Sequence, residues 1–85
     1  MKEINYEKFL NDLVAPLVVH QNDVVVNKFD DDGNTLTIQI LVHPDDVGRV
    51  IGKKGRVINS IRTIAHACAA RDGKKVEISV DALVL

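Results

Sequence analysis

The chain has 85 residues, a net charge of −1, 46% apolar residues and a single cysteine. That length makes one domain, spanning residues 1–85, whose small core buries roughly 60% of the unfolded surface, so a partner chain would add stability. One cysteine excludes an internal disulfide and a multi-cysteine zinc site. No apolar run approaches the ~20 residues of a membrane span, and Met1-Lys2-Glu3-Ile4-Asn5 lacks the apolar stretch of a secretion signal, so a cytoplasmic protein without membrane contact is expected.

Residues 3–18 read as a helix: Tyr6, Phe9, Leu10, Leu13, Val14 and Leu17 recur at three- and four-residue steps, and Pro16 ends or kinks the last turn. Residues 22–29 carry Val24, Val25, Val26 and Phe29 and read as a strand. Asp30-Asp31-Asp32-Gly33-Asn34 is a turn. Residues 35–42 alternate Leu36, Ile38, Ile40 and Val42 with Thr35, Thr37, Gln39 and Leu41, the second strand of a hairpin. His43-Pro44-Asp45-Asp46 starts a short helix that runs to Ile51, because proline suits a first turn and carboxylates suit the positive end of the dipole. A glycine loop follows, then a helix over 56–70 with Val57, Ile58, Ile61, Ile64, Ala65 and Cys68 on one face. Arg71-Asp72-Gly73-Lys74 turns the chain into a third strand, in which Val76, Ile78 and Val80 alternate with Glu77, Ser79 and Asp81. The order is α-β-β-α-α-β, the pattern of an α+β domain.

Chemistry concentrates in the run Val50-Ile51-Gly52-Lys53-Lys54-Gly55-Arg56-Val57-Ile58. Glycine removes the Cβ that would block a phosphate and tolerates positive φ in a tight turn. The following helix points its first N–H groups and the positive end of its dipole at the same spot. Charge is distributed to match. Residues 1–48 hold three lysines against nine carboxylates, whereas residues 49–75 hold eight lysines and arginines against Asp72 alone. The basic third is a local electrostatic footprint on an acidic body.

Competing readings of these residues fail on spacing. A nucleotide-binding P-loop needs four residues between its glycines and Lys-Ser/Thr after the second; here three residues separate Gly48 from Gly52, and Lys53 precedes Lys54. A calcium loop over Asp30-Asp31-Asp32 would need a ligand at position 28, which is Lys28. His20, His43 and His66 are scattered, Cys68 reads as a buried structural thiol, and no acid–base pair, metal site or cofactor site is expected. With both lysines and Arg56 in place, the loop reads as a backbone clamp rather than a plain connector.

The complete Ile-Gly-x-x-Gly-x-x-Ile signature, Ile51 to Ile58, between two helices resembles a KH domain of the type II arrangement. Asn5-Tyr6-Glu7-Lys8-Phe9-Leu10, the stretch Val47-Gly48-Arg49-Val50-Ile51-Gly52-Lys53 and the overall size are similar to the small bacterial KhpA family. The resemblance covers nearly the whole chain. It implies a three-stranded mixed sheet with helices packed on one face, and single-stranded RNA of about four nucleotides in a groove beside the loop. It also implies a homodimer, pairing with a KH protein of the Jag type (KhpB), and a role as post-transcriptional regulator or RNA chaperone linked to cell elongation and division. The RNA-binding residues it implies are Arg49, Val50, Ile51, Gly52, Lys53, Lys54, Gly55, Arg56 and Ile58. Gly52 and Gly55 would shape the loop, Lys53 and Lys54 meet phosphates, Arg49 and Arg56 flank it, and Val50, Ile51 and Ile58 support the groove.

Phosphate contacts fix register but identify no base. Base contacts would come from a groove floor at Val47, Ile51, Ile58 and the strand near Ile78. Only Tyr6, Phe9 and Phe29 are aromatic, so a stacking platform is not expected. The apolar stripe of helix 56–70, from Ile64 round to Ile58 and Ala69, packs on the sheet or forms a dimer seam at its edge. A second class of reading is a protein-interaction adaptor whose nucleic-acid binding is weak or vestigial; a third is a binder of single-stranded DNA.

Overall fold

The computed structural model describes residues 5–31 and 33–84. Its elements follow the expected order: α1 (Tyr6–Val14), β1 (Val25–Asp31), β2 (Thr35–Val42), α2 (Val47–Ile51), α3 (Arg56–Arg71) and β3 (Lys75–Ala82). The three strands form one sheet in the order β1-β2-β3, with β1 antiparallel and β3 parallel to β2. The long return from β2 to the parallel β3 is made by α2 and α3, as a parallel pair requires.

Asn5 caps α1, its side-chain oxygen accepting the Lys8 N–H at 3.1 Å. Pro16 has no N–H to donate back into the helix. The chain tightens into a 3₁₀ turn at Ala15–Leu17, so regular helix stops short of the expected residue 18. Expected positions 3 and 4 lie outside the described residues. The tightening also rotates Leu17 off the inner face to the surface, and Val18 is buried instead.

The first strand begins later than expected because residues Gln21–Asp23 wind into a second 3₁₀ turn. It then runs through Asp31, with the register slipping between Lys28 and Asp30 so that Phe29 forms a bulge. The expected turn is correspondingly shorter, and its Asp32 lies outside the described residues. β2 matches residue for residue, its side chains alternating between buried and half-buried.

One cluster holds the domain together. Tyr6, Leu10 and Val14 from α1, Leu36, Ile38, Ile40 and Val42 from β2, Ile58, Ile61, Ala65 and Ala69 from α3, and Val76 and Ile78 from β3 meet between the helices and one sheet face. Ile64, expected on this face of α3, is 45% exposed instead. Cys68 is half-buried against the cluster rather than enclosed. The Tyr6 hydroxyl is buried with no hydrogen-bond partner among the described residues. Burial first, and then the nearby Asp72 carboxylate, raise its pKa.

Candidate nucleic-acid interface

Loop 52–55 joins α2 to α3 through three residues with positive φ. Gly52 ends α2, its N–H donating to the Gly48 carbonyl at 2.9 Å, and adopts φ 77° and ψ 173°. A Cβ on Gly52 would run into Val57 Cγ2 and stand 2.9 Å from the Val57 nitrogen, so only glycine lets the loop close on the start of α3. Lys54 (φ 57°) and Gly55 (φ 75°) are both left-handed, and the Gly55 N–H closes the turn on the Gly52 carbonyl at 3.1 Å. Lys54 is the one non-glycine with positive φ among the described residues. Left-handed geometry costs a side-chain-bearing residue about 1–2 kcal/mol, and strain of that kind collects at functional sites.

The turn leaves the 16-residue α3 with Gly55 as its N-cap and no side-chain cap. The Arg56 N–H donates to the Lys53 carbonyl, so what this end can offer an anion is the rest of the first turn, which has no side-chain cap, at the positive end of a full-length dipole. Lys53, Lys54 and Arg56 are exposed around it, and neither lysine has an ion pair among the described residues. An anion approaching this corner meets peptide donors and mobile ammonium groups together.

The remaining expected residues are distributed differently. Ile51 is half-buried at the lip of the loop, and Ile58 lies beneath it in the core. Val50 has no exposed surface, so it supports the loop from below and presents nothing to a ligand. Arg49 points away: its guanidinium donates to the Asp45 carbonyl at 2.7 Å and to Asp46 Oδ1 at 2.9 Å, back toward the start of α2. Val47 is half-buried and Ile78 buried.

Asp46 was legible only as a carboxylate near a helix start, yet it is the fully buried anchor of this region. It accepts the backbone N–H groups of Val19 (3.1 Å) and His20 (2.9 Å) as well as Arg49. Burial alone would raise its pKa. The two backbone donors, with the Arg49 charge, outweigh that and hold the carboxyl below its ordinary value. No pattern in the sequence places residues 19 and 20 beside position 46.

Arg62 is a second residue that motif reading did not single out. Its Nε and Nη2 both donate to the Ile78 carbonyl, at 3.2 and 2.9 Å, tying α3 to β3. The signal for it was spacing: Gly55, Asn59, Arg62 and His66 follow one another by four, three and four residues and share a helix face.

Among the described residues, His20, His43 and Asp45 bring potential metal ligands within 4.8 Å of one another. The two imidazoles stack, with centroids 3.8 Å apart and planes 17° from parallel, so a single ion cannot lie in both ring planes. His43 Nδ1 already accepts the Asp45 N–H at 3.0 Å. The cluster caps a turn and is not arranged to chelate. No helix among the described residues is long and apolar enough to cross a membrane.

Comparison with known proteins agrees with this architecture. Two solved structures share the fold: Era in complex with MgGDPNP and nucleotides 1506–1542 of 16S ribosomal RNA (TM-score 0.63, 21% identity, 91% of this chain), and Aquifex aeolicus Era bound to GDP.AlF4− (TM-score 0.65, 18% identity, 93% of this chain). The chain spans 30% of the length of each, and at these identities the likeness shows the fold alone, an α+β type II KH fold. Proteins named RNA-binding protein KhpA are similar along most of their length. That of Halalkalibacterium halodurans is 42% identical over 80% of this chain and 88% of its own. That of Listeria monocytogenes is 38% identical over 87% and 96%, and that of Bacillus subtilis 34% identical over 94% and 98%. The sequence pattern of the family described as KhpA/KhpB, KH domain matches residues 7–80, and with such relatives the chain belongs to that family.

Proposed function

We propose that the protein holds short single-stranded RNA, without catalysis, at the corner formed by loop 52–55 and the start of α3. The observation that carries this reading is the positive φ at Gly52, Lys54 and Gly55, which turns the chain into α3 with no side-chain cap and with Lys53, Lys54 and Arg56 exposed around the turn. Membership of a family whose relatives are named RNA-binding proteins supports it. Gly52 and Gly55 shape the clamp, Lys53, Lys54 and Arg56 meet phosphates, Ile51 lines the groove, and Val50 and Ile58 support it. Arg49 acts indirectly, by holding Asp46.

The protein works in the cytoplasm as a homodimer or paired with a Jag-type KH protein (KhpB). Its role is that of a post-transcriptional regulator or RNA chaperone linked to cell elongation and division. Ile64, half out of the core on the edge of the α3 stripe, favours a seam there. Light scattering of the purified protein reads the dimer directly.

Replacing Lys53 and Lys54 together by Asp tests the clamp. Both side chains are exposed, so the variant keeps its circular dichroism, while affinity for an eight-nucleotide RNA in fluorescence anisotropy falls at least about tenfold. Undiminished RNA binding by the folded variant would overturn the reading. The adaptor alternative draws on the exposure of Phe29 (63%) in the β1 bulge. It predicts that the same variant keeps its protein partner and cellular phenotype. A competition between RNA and DNA of one sequence tests whether 2′-hydroxyls contribute.

A further inference from the structure

Helix α2 leads straight into loop 52–55 and is only five residues long. A helix that short does not hold its shape or direction alone in water, so both are imposed by what it touches. Val50, with no exposed surface, fixes its middle in the core. Its start is held by Asp46. An aspartate at the N-cap position ordinarily accepts an N–H from the first turn of its own helix. Asp46 occupies that position and makes no such bond. Its buried carboxylate reaches across the fold instead, taking the Val19 N–H on Oδ1 at 3.1 Å and the His20 N–H on Oδ2 at 2.9 Å.

Two neighbours reinforce this tie. Arg49 braces the carboxylate, donating to Oδ1 at 2.9 Å while also holding the Asp45 carbonyl at 2.7 Å. The His20 ring stacks on that of His43, just before the turn that carries Asp46, with centroids 3.8 Å apart. The residues gripped lie in the connection between α1 and β1, where Val19 is 67% exposed. Amides in such a place exchange with solvent by local opening, without unfolding of the sheet. From the tie to Gly52 is only about 7 Å of helix at 1.5 Å per residue. A binding constellation tolerates about 0.5 Å of misplacement. With Val50 as the pivot, slack at Asp46 is passed to Gly52 at the other end of α2.

We propose that Asp46 and Arg49 are positioning residues for the RNA clamp: by tying the start of α2 to the backbone of Val19 and His20 they set where loop 52–55 sits, so that closing this tie and binding RNA favour one another. The inference rests on the RNA-binding reading above and extends the site, in energy rather than in contact, to residues 19 and 20. Neither positioning residue touches RNA.

Arg49→Ala removes the brace at a half-exposed side chain, so the fold is kept, as circular dichroism checks. In fluorescence anisotropy its affinity for a random-sequence eight-nucleotide RNA falls about threefold to tenfold. The slope of log affinity against log salt stays that of the wild type, whereas a lost phosphate contact would lower it by about 0.7. Hydrogen exchange reads the tie itself. In the wild type, saturating RNA slows exchange of the Val19 and His20 amides by at least the factor that Arg49→Ala costs in affinity, because coupling is reciprocal. Asp46→Asn puts an amide nitrogen where one of the two N–H groups needs an acceptor; it binds RNA more weakly and loses the slowing. A role confined to stability would leave both the affinity of the folded protein and this exchange response unmoved. Undiminished affinity of Arg49→Ala, a slope lowered by one contact, or exchange at 19 and 20 indifferent to RNA overturns the proposal. Arg49→Ala and exchange in the wild type carry the test if Asp46→Asn does not fold. If the wild type binds the RNA and the Lys53/Lys54 double Asp variant does not, that failure leaves the RNA-binding reading standing. A wild type that does not bind the RNA overturns both.

Discussion

Gly52 and Gly55 look equivalent in the motif, yet their surroundings make different demands. At φ 77° and ψ 173°, Gly52 lies in a region closed to side-chain-bearing residues, and an added methyl meets Val57, including its backbone nitrogen, which cannot swing aside. Gly55 is in the ordinary left-handed well, and the nearest atom to an added Cβ is Asn59 Nδ2 at 3.7 Å. Gly52→Ala is therefore expected to destabilise the domain by about 3 kcal/mol, Gly55→Ala by only about 1 kcal/mol. For a chain of this size each kcal/mol lowers Tm by about 4–8 °C, so thermal unfolding separates the two variants clearly. Equal losses would be incompatible with a Gly52 methyl meeting Val57 while a Gly55 methyl makes only ordinary contact with Asn59. Asp46 makes a second residue-level demand, with a pH signature. Its folded-state pKa lies below the unfolded value, so the stability it contributes is complete above the unfolded pKa and is lost as pH falls through the folded one. Asp46→Asn should lower the urea midpoint at about pH 6, and the gap to wild type should close on acidification below about pH 4. A gap of the same size at both pH values would contradict the account.

At the scale of elements, strong periodicity was readable and backbone detail was not. β2 matched exactly at both ends because one buried face forces strict alternation from Leu36 to Val42. Helix α3 was readable within a residue because Ile58, Ile61 and Ala65 recur at helical steps and a turn follows. The weaker boundaries share a cause: short 3₁₀ turns at Ala15–Leu17 and Gln21–Asp23 have no hydrophobic period of their own to set them apart from the neighbouring helix and strand. The same contrast holds at the candidate site. Loop 52–55 was legible because glycine and lysine at fixed spacing state a local geometry. Asp46 and Arg62 act across 26 or 27 and 16 residues of sequence, on the backbone of 19–20 and of Ile78, and no local pattern encodes such partners. Arg49 is the inverse case. Proximity in sequence put it beside the loop, but the buried carboxylate of Asp46 draws its guanidinium back along α2.

Across the whole molecule, a net charge of −1 conceals two opposed regions, and three of the eight basic residues in the positive one are engaged within the protein. Of the eight basic residues in 49–75, Arg49 pairs with Asp46, Arg71 lies 3.8 Å from Asp72, and Arg62 is committed to the Ile78 carbonyl. Lys53, Lys54 and Arg56 cluster at the loop, and Lys74 and Lys75 lie past the other end of α3, where they line a recess with His66, Val76 and Glu77. Counterion release scales with phosphates neutralised, at about 0.7 per contact for a single strand. A grip by the loop, with at most one contact more, gives a slope of log affinity against log salt of about −2 to −3. A continuous track engaging every basic residue would give a slope of about −6. Titrating an eight-nucleotide RNA between about 50 and 200 mM salt distinguishes these, and the first is expected. The Lys53/Lys54 double Asp variant should flatten the slope by more than about 1, whereas the corresponding change at Lys74 and Lys75 should leave most of it in place. A steep slope insensitive to Lys53 and Lys54 would move the binding surface away from the loop, and with it the role assigned to the strained turn at Lys54.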